Sequence, residues 1–275
     1  MAPLLQKLFH RAPAESAGPA PARGHGAWAA IREFLFLAIL FAVYKYGRLL
    51  VRGHEREAID HARSLRHLEA SLHLPSEAGL QAHLLTGDLA RFLDVYYVTV
   101  HWPIMVAFLA WGYFRRPRQE YLWARNLLII QTGLGLAIHL TYPLAPPRMF
   151  PQWGFVDTMN VFGPSAYGHA GSAVSNQYAA MPSLHLGWAV LIAVVVARTG
   201  PRWLAVLTGL HAFITLAVVI LTANHWWLDC IVGELLLIVA LHSLRRLGSE
   251  PQSRRAQAKS ADEAVPAGDP AGLPG

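Results

Sequence analysis

Residues 203–244 read WLAVLTGLHAFITLAVVILTANHWWLDCIVGELLLIVALHSL. Two apolar runs, Trp203 to Leu221 and Trp226 to Leu244, meet at a polar knot, Asn224-His225-Trp226-Trp227-Leu228-Asp229. Each run approaches the about 20 mostly apolar residues that a membrane-spanning helix needs. Ionisable side chains at such a depth are costly to bury and lean towards function. Outward from this hairpin lie four more candidate spans, at about Ile31–Leu50, Leu93–Phe114, Leu122–Pro143 and Pro182–Ala197. Lys45 and Arg48, near the end of the first, can snorkel to the interface. The expected fold is all-α, a polytopic six-helix transmembrane bundle.

Composition agrees. Of 275 residues, 54% are hydrophobic and 15% charged, against about 25% charged in an average soluble domain. Mean hydropathy is +0.31 and the pI is near 9.7. The net charge of +6 does not point to nucleic acid, because the basic residues sit in short clusters between apolar runs. Lipid head groups and membrane topology account for them. One cysteine, Cys230, excludes an intrachain disulfide. Residues 1–26 and 248–275 are rich in Ala, Pro and Gly and carry no apolar run, so both are expected to be disordered tails around a membrane-embedded domain at 27–247. The first of them lacks the apolar stretch of a signal peptide.

Between the first two spans lies a polar stretch in which Ile59, Ala62, Leu65, Leu68 and Leu72 recur at helical spacing. This predicts an extramembrane amphipathic helix, lying on the bilayer surface or packed on the protein's own spans. Lys/Arg asymmetry orients the rest. Arg115, Arg116, Arg118 and Arg125 follow the second span, Arg198 and Arg202 the fourth, Arg245 and Arg246 the sixth, and Lys7, Arg11, Arg23 and Arg32 precede the first. The segment 146–180 holds only Arg148. Both termini are therefore expected in the cytoplasm. The loop after the first span disagrees, with Arg52, Arg56, Arg63, Arg66 and Arg91, but Glu55, Glu57, Glu69 and Glu77 accompany them, as in a folded cap.

Three polar clusters lie at span ends: Pro146-Pro147-Arg148, Met181-Pro182-Ser183-Leu184-His185 and Asn224 to Asp229. Counting spans places all three on one membrane face. His225 and Asp229 are four apart, so on a helix they can touch. A carboxylate on one imidazole nitrogen fixes the tautomer and leaves the other as nucleophile or base. Pro182 suits a first helical turn, whose N–H groups bind phosphate, and His185 would sit within that turn. Arg148 can hold the same phosphate through its fork. Singly, each has a structural reading: a helix start, an interfacial histidine, a helix-end ion pair, a lipid anchor. Jointly, two histidines, an aspartate and an arginine on one face point to chemistry. Zinc would want a third compact ligand, so no metal is expected.

At these residues the chain resembles the type-2 phosphatidic acid phosphatase superfamily, and more closely its inositol phosphorylceramide synthase-like branch, known from actinobacterial membrane proteins. Tyr142-Pro-Leu-Ala-Pro-Pro-Arg-Met149, Ala180-Met-Pro-Ser-Leu-His-Leu-Gly-Trp188 and Ala223-Asn-His-Trp-Trp-Leu-Asp229 carry the likeness, which extends over about residues 30–245. The resemblance implies that His225 attacks phosphorus, Asp229 orients it and His185 protonates the leaving oxygen. Arg148, with Ser183, Pro182 and Asn224, would bind the substrate, a lipid phosphate or lipid-linked diphosphate, without a cofactor. The site would face outward from the plasma membrane. Departures from the general pattern fall at Thr141, where lysine is usual, Leu184, where glycine is usual, and Val219, where arginine is common. The closer branch accommodates all three. Hydrolase and transferase remain open, with phosphatidic acid, polyprenyl diphosphate and phosphoinositol transfer as candidate chemistries. A non-catalytic transporter or scaffold is the alternative class, although a transporter should show paired broken helices in two related halves.

Overall fold

The computed structural model describes residues 26–47, 53–163 and 177–247. The predicted tails, apart from Gly26, and the Arg48 and Arg52 positions lie outside these. Among the described residues the regular structure is helical: α1 Ala27–Gly47, α2 Glu55–Ser71, α3 Glu77–Leu84, α4 Gly87–Thr99, α5 His101–Arg115, α6 Arg118–Thr141, a short α7 Thr158–Val161, α8 Leu184–Thr199, α9 Arg202–Leu221 and α10 Trp227–Arg246. Two 3-10 turns, Pro147–Met149 and Pro151–Trp153, follow α6. Local chemistry sets several starts. Ser76 Oγ accepts from Gly79 N–H at 3.2 Å, and Thr86 Oγ1 from Leu89 N–H at 3.3 Å. Pro117 and Pro201 stand just before α6 and α9, where a missing N–H costs nothing.

By length and composition α1, α9 and α10 can each cross a membrane. The α4–α5 pair makes a fourth crossing if its two helices count as one. The second predicted span, drawn as one run from Leu93 to Phe114, is corrected here: it breaks at Val100 and bends by 40°. The fourth predicted span begins at Leu184 rather than Pro182 and is 16 residues long. The 24-residue α6 carries Arg118, Glu120 and Arg125 in its first turns, a polar start to an apolar helix.

The core sits where α5, α6, α8 and α10 meet, with Trp123, Leu127, Trp188, Leu191 and Leu237 buried together. Small residues let α8 and α10 approach. A Cβ on Gly233 would stand 2.7 Å from the Ser183 carbonyl oxygen, and one on Gly187 would stand 2.6 Å from the Gln131 amide. Gln131 Nε2 donates to the Gly233 carbonyl at 3.0 Å, knitting α6 to α10. α1 is mostly exposed and is tied to α6 by Arg125 and Glu33 at 2.9 Å.

The predicted amphipathic helix exists as α2, with its stripe turned. Ala58, Ala62, Leu65 and Glu69 are buried, whereas Leu68 and Leu72 are about half exposed at 49% and 53%. Of the two placements considered, α2 packs on the protein itself. Ala58, Ala62 and Leu65 lie against Leu144, Ala145, Phe150 and Trp226. With α3 it forms a folded cap over the ends of the spans.

Candidate active site

The three polar clusters converge, and main-chain hydrogen bonds hold them together. Leu144 N–H donates to the Tyr178 carbonyl at 2.7 Å, and Ala180 N–H returns one to Leu144 at 3.2 Å. Arg148 N–H donates to the Ala223 carbonyl at 2.9 Å, which joins the first cluster to the third. Ser183 N–H donates to the Asp229 carbonyl at 2.9 Å, which joins the second to the third. Ala223 adopts a left-handed conformation (φ 53°), costly for a residue with a Cβ and common where function over-determines the backbone.

His225 is not on α10, as the four-residue spacing suggested, but in the turn just before it. Trp226 is the N-cap, and Asp229 Oδ2 accepts the Trp226 N–H at 2.9 Å. The same oxygen stands 3.4 Å from His225 Nδ1. A shorter contact governs that nitrogen: His225 Nδ1 is 2.9 Å from the Ala180 carbonyl oxygen. A carbonyl only accepts, so Nδ1 carries the proton and Nε2 the lone pair. The carboxylate predicted to fix this tautomer is present, but it acts alongside a backbone carbonyl that the sequence did not reveal.

His185 lies in the first turn of α8, its ring centroid 6.3 Å from that of His225. Tyr97 stacks on it at 4.5 Å, and His101 stands at 4.9 Å. These two are four apart on the sequence across the α4–α5 break, so the spacing was legible though its target was not. His139 lies instead beside Tyr44, with centroids 6.3 Å apart.

Arg148 is 5% exposed and sits in the Pro147–Met149 turn. Its Nη2 donates to Gln177 Oε1 at 3.2 Å, and its Nε is 3.9 Å from Asp157 Oδ2. Both partners fall in segments that share the family likeness, Gly154–Asp157 and 176–178, but neither takes a role at Arg148 from sequence alone. Two expectations are corrected. Pro182 is not in a first helical turn; it precedes the Ser183 N-cap and is joined to Met181 by a cis peptide bond. Ser183 is fully buried and its N–H is committed to Asp229, so it does not offer that group to a phosphate. Asn224 is 3% exposed, with its Nδ2 donating to Thr222 Oγ1 at 2.7 Å.

The start of α10 gathers acidic side chains. Besides Asp229 on Trp226, Glu77 Oε1 accepts from Trp227 N–H at 3.2 Å and Glu69 Oε1 from Leu228 N–H at 2.9 Å. Burial, and then the neighbouring Glu77, push the Glu69 carboxyl up to about 9, so it is protonated at neutral pH. Burial followed by the Asp229 charge raises the Tyr142 hydroxyl, and burial followed by Glu55 raises that of Tyr178.

Residues 63–243 match the protein-family model described as the PAP2 superfamily. The chain belongs to the PAP2 superfamily. This PAP2 chain is 25% identical over 186 residues to the inositol phosphorylceramide synthase catalytic subunit aur1 of Schizosaccharomyces pombe, covering 60% of the chain and 43% of that protein. It is 26% identical over 177 residues to the phosphoinositol dihydroceramide synthase of Bacteroides thetaiotaomicron, covering 58% and 56%. The PAP2 chain thus spans about half the length of the curated relatives it matches. No solved structure matches it. Both of these relatives are synthases, and within the superfamily the likeness falls with the inositol phosphorylceramide synthase-like branch.

Proposed function

We propose that the protein cleaves a phosphoester bond of a membrane lipid through a phosphohistidine on His225, at the extracytoplasmic face of the plasma membrane. The observation that carries the reading is the hydrogen bond from His225 Nδ1 to the Ala180 carbonyl, with Asp229 beside it. It puts the ring's lone pair on Nε2, the atom that would attack phosphorus. As the P–O bond breaks, His185 gives its proton to the leaving oxygen. Water or a lipid or polyol hydroxyl then loses its proton to His185 and attacks the phosphohistidine, and His225 departs as neutral imidazole. Arg148 holds phosphoryl oxygens, with Asn224 close by, and Asp229 balances the charge that His225 gains.

Both named relatives are synthases, which favours transfer to a hydroxyl over hydrolysis. Six crossings are proposed: α1, the bent α4–α5 pair, α6, α8, α9 and α10. The basic residues support the orientation. Arg116 with Glu120, Arg125 with Glu33, and Arg198 over Trp123 all lie at helix ends opposite to the His225 turn.

The test is incubation of purified protein with phosphatidic acid, a polyprenyl diphosphate and phosphatidylinositol, each with and without an alcohol acceptor. Free phosphate is scored against transferred product. A lipid product that appears only with the acceptor marks a transferase; free phosphate without it marks a phosphatase. No turnover of any lipid and no covalent phosphoenzyme would overturn the reading.

A further inference from the structure

The cap takes no part in the chemistry proposed above, yet it grips the His225 turn from both sides. Where the chain enters the turn, Gln81 Nε2 donates to the Leu221 carbonyl at the end of α9, at 3.0 Å. Where the chain leaves it, Glu77 accepts from Trp227 N–H at 3.2 Å and Glu69 from Leu228 N–H at 2.9 Å. The side chains match what each helix end lacks. A C-terminus leaves carbonyls unpaired and receives an amide donor; an N-terminus leaves N–H groups unpaired and receives carboxyl oxygens.

Glu77 and Gln81 are four residues apart on α3 and share a face, so one rigid helix spans both ends of the turn. Both are 5% exposed or less, as is Glu69. Gln81 is itself held. Its Nε2 also donates to the Val156 carbonyl at 2.9 Å, and its Oε1 accepts from Val156 N–H at 2.8 Å. Trp227 Nε1 donates to the Pro75 carbonyl at 2.8 Å, adding a fourth tie between cap and turn.

We propose that Glu69, Glu77 and Gln81 are positioning residues that clamp the His225 turn, so that the extramembrane cap is a working part of the active site. None of the three touches substrate; they act through the main chain at Leu221, Trp227 and Leu228. The proposal rests on His225 as nucleophile. Misplacing a reacting group by about 1 Å costs on the order of 100-fold in rate. Releasing one side of the turn should therefore lower kcat and leave KM near its normal value.

The experiment uses full-length Glu77→Ala, Gln81→Ala, Glu77→Gln and Gln81→Glu in detergent micelles. Two readouts are taken: amide hydrogen exchange of the 222–230 peptide, and kcat with KM on whichever lipid phosphate the wild type turns over. Glu77→Ala and Gln81→Ala should speed exchange in that peptide and cut kcat at least tenfold. Glu77→Gln, whose amide oxygen can still accept from Trp227, should stay within about threefold of wild type, as expected when only the charge is lost. Gln81→Glu sets a carboxylate against the Leu221 and Val156 carbonyls and should be the most impaired. Unchanged exchange in both alanine variants overturns the clamp. So does faster exchange with normal kcat, or a loss carried by KM alone. Should an alanine variant fail to fold, the contrast between the isosteric Glu77→Gln and Gln81→Glu decides: equal kcat in the two overturns the clamp. Exchange needs no turnover, so a wild type inactive on every lipid would sink the enzymatic reading while the clamp is still judged.

Discussion

The Nδ1 of His225 lies 2.9 Å from the carbonyl oxygen of Ala180, two residues after Tyr178 in the segment that opens α8. A main-chain acceptor thus shares with Asp229 the task of orienting this ring. In the proposed mechanism, removing the ring removes the covalent step. His225→Ala is expected to lose several orders of magnitude in turnover, in line with the loss of an activated nucleophile. An acid-labile, alkali-stable phosphoenzyme should be trapped from wild type and be absent from this variant. An adduct that survives without His225 assigns the nucleophile elsewhere.

Asp229→Asn should be milder than His225→Ala. The amide can still accept the Trp226 N–H, and the Ala180 carbonyl still fixes the tautomer; only the charge that steadies the imidazolium is lost. Single-turnover rates should place it between wild type and His225→Ala. Equality with His225→Ala would mean that the carboxylate, not the carbonyl, sets the ring.

His185→Ala should slow departure of the leaving group by roughly 100- to 10,000-fold. The defect should shrink with an ester such as a nitrophenyl phosphate, whose leaving group needs no proton. A defect equal for good and poor leaving groups would remove His185 from the acid role.

Stability should fall as pH rises. Glu69 binds its proton more tightly when folded, near 9 against an ordinary 4.5. Between these values the folded state holds more protons than the unfolded state, so its advantage is complete below about pH 4.5 and is lost as pH climbs through about 9. Melting temperature in detergent should decline over that window. Glu69→Gln, which mimics the protonated form, should flatten the slope, and an unchanged slope would count against the buried acid.

A cysteine at Val161, 61% exposed in α7, should react with an impermeant thiol reagent in intact cells. Native Cys230 is 3% exposed, so the background should be low. Labelling only after lysis would reverse the proposed orientation.

The apolar runs made the helices legible, because a span must be apolar along its whole length. The convergence of Arg148, His185 and His225 followed from span order alone. The break at Val100 did leave a local trace: Pro103, three residues on, has no N–H to donate to the Thr99 carbonyl, so the helical ladder is interrupted there. Other features left none. Glu69 interrupts the apolar period of α2, yet it is buried, because its partner is the N–H of Leu228, which is 159 residues away. The same blindness hid the Ala180 carbonyl and the Ser183 N–H bond to Asp229: a main-chain contact between distant segments has no residue-type signature.

That last point bears on how such a protein can diverge. The links that join the three clusters run Leu144 to Tyr178, Arg148 to Ala223, Ser183 to Asp229 and His225 to Ala180, and each uses at least one main-chain atom. Any side chain that tolerates the backbone conformation supplies those atoms. Mutation can therefore rewrite the walls around the His225 ring while its scaffolding is inherited intact, so under the proposed mechanism substrate preference is free to drift where catalysis is not.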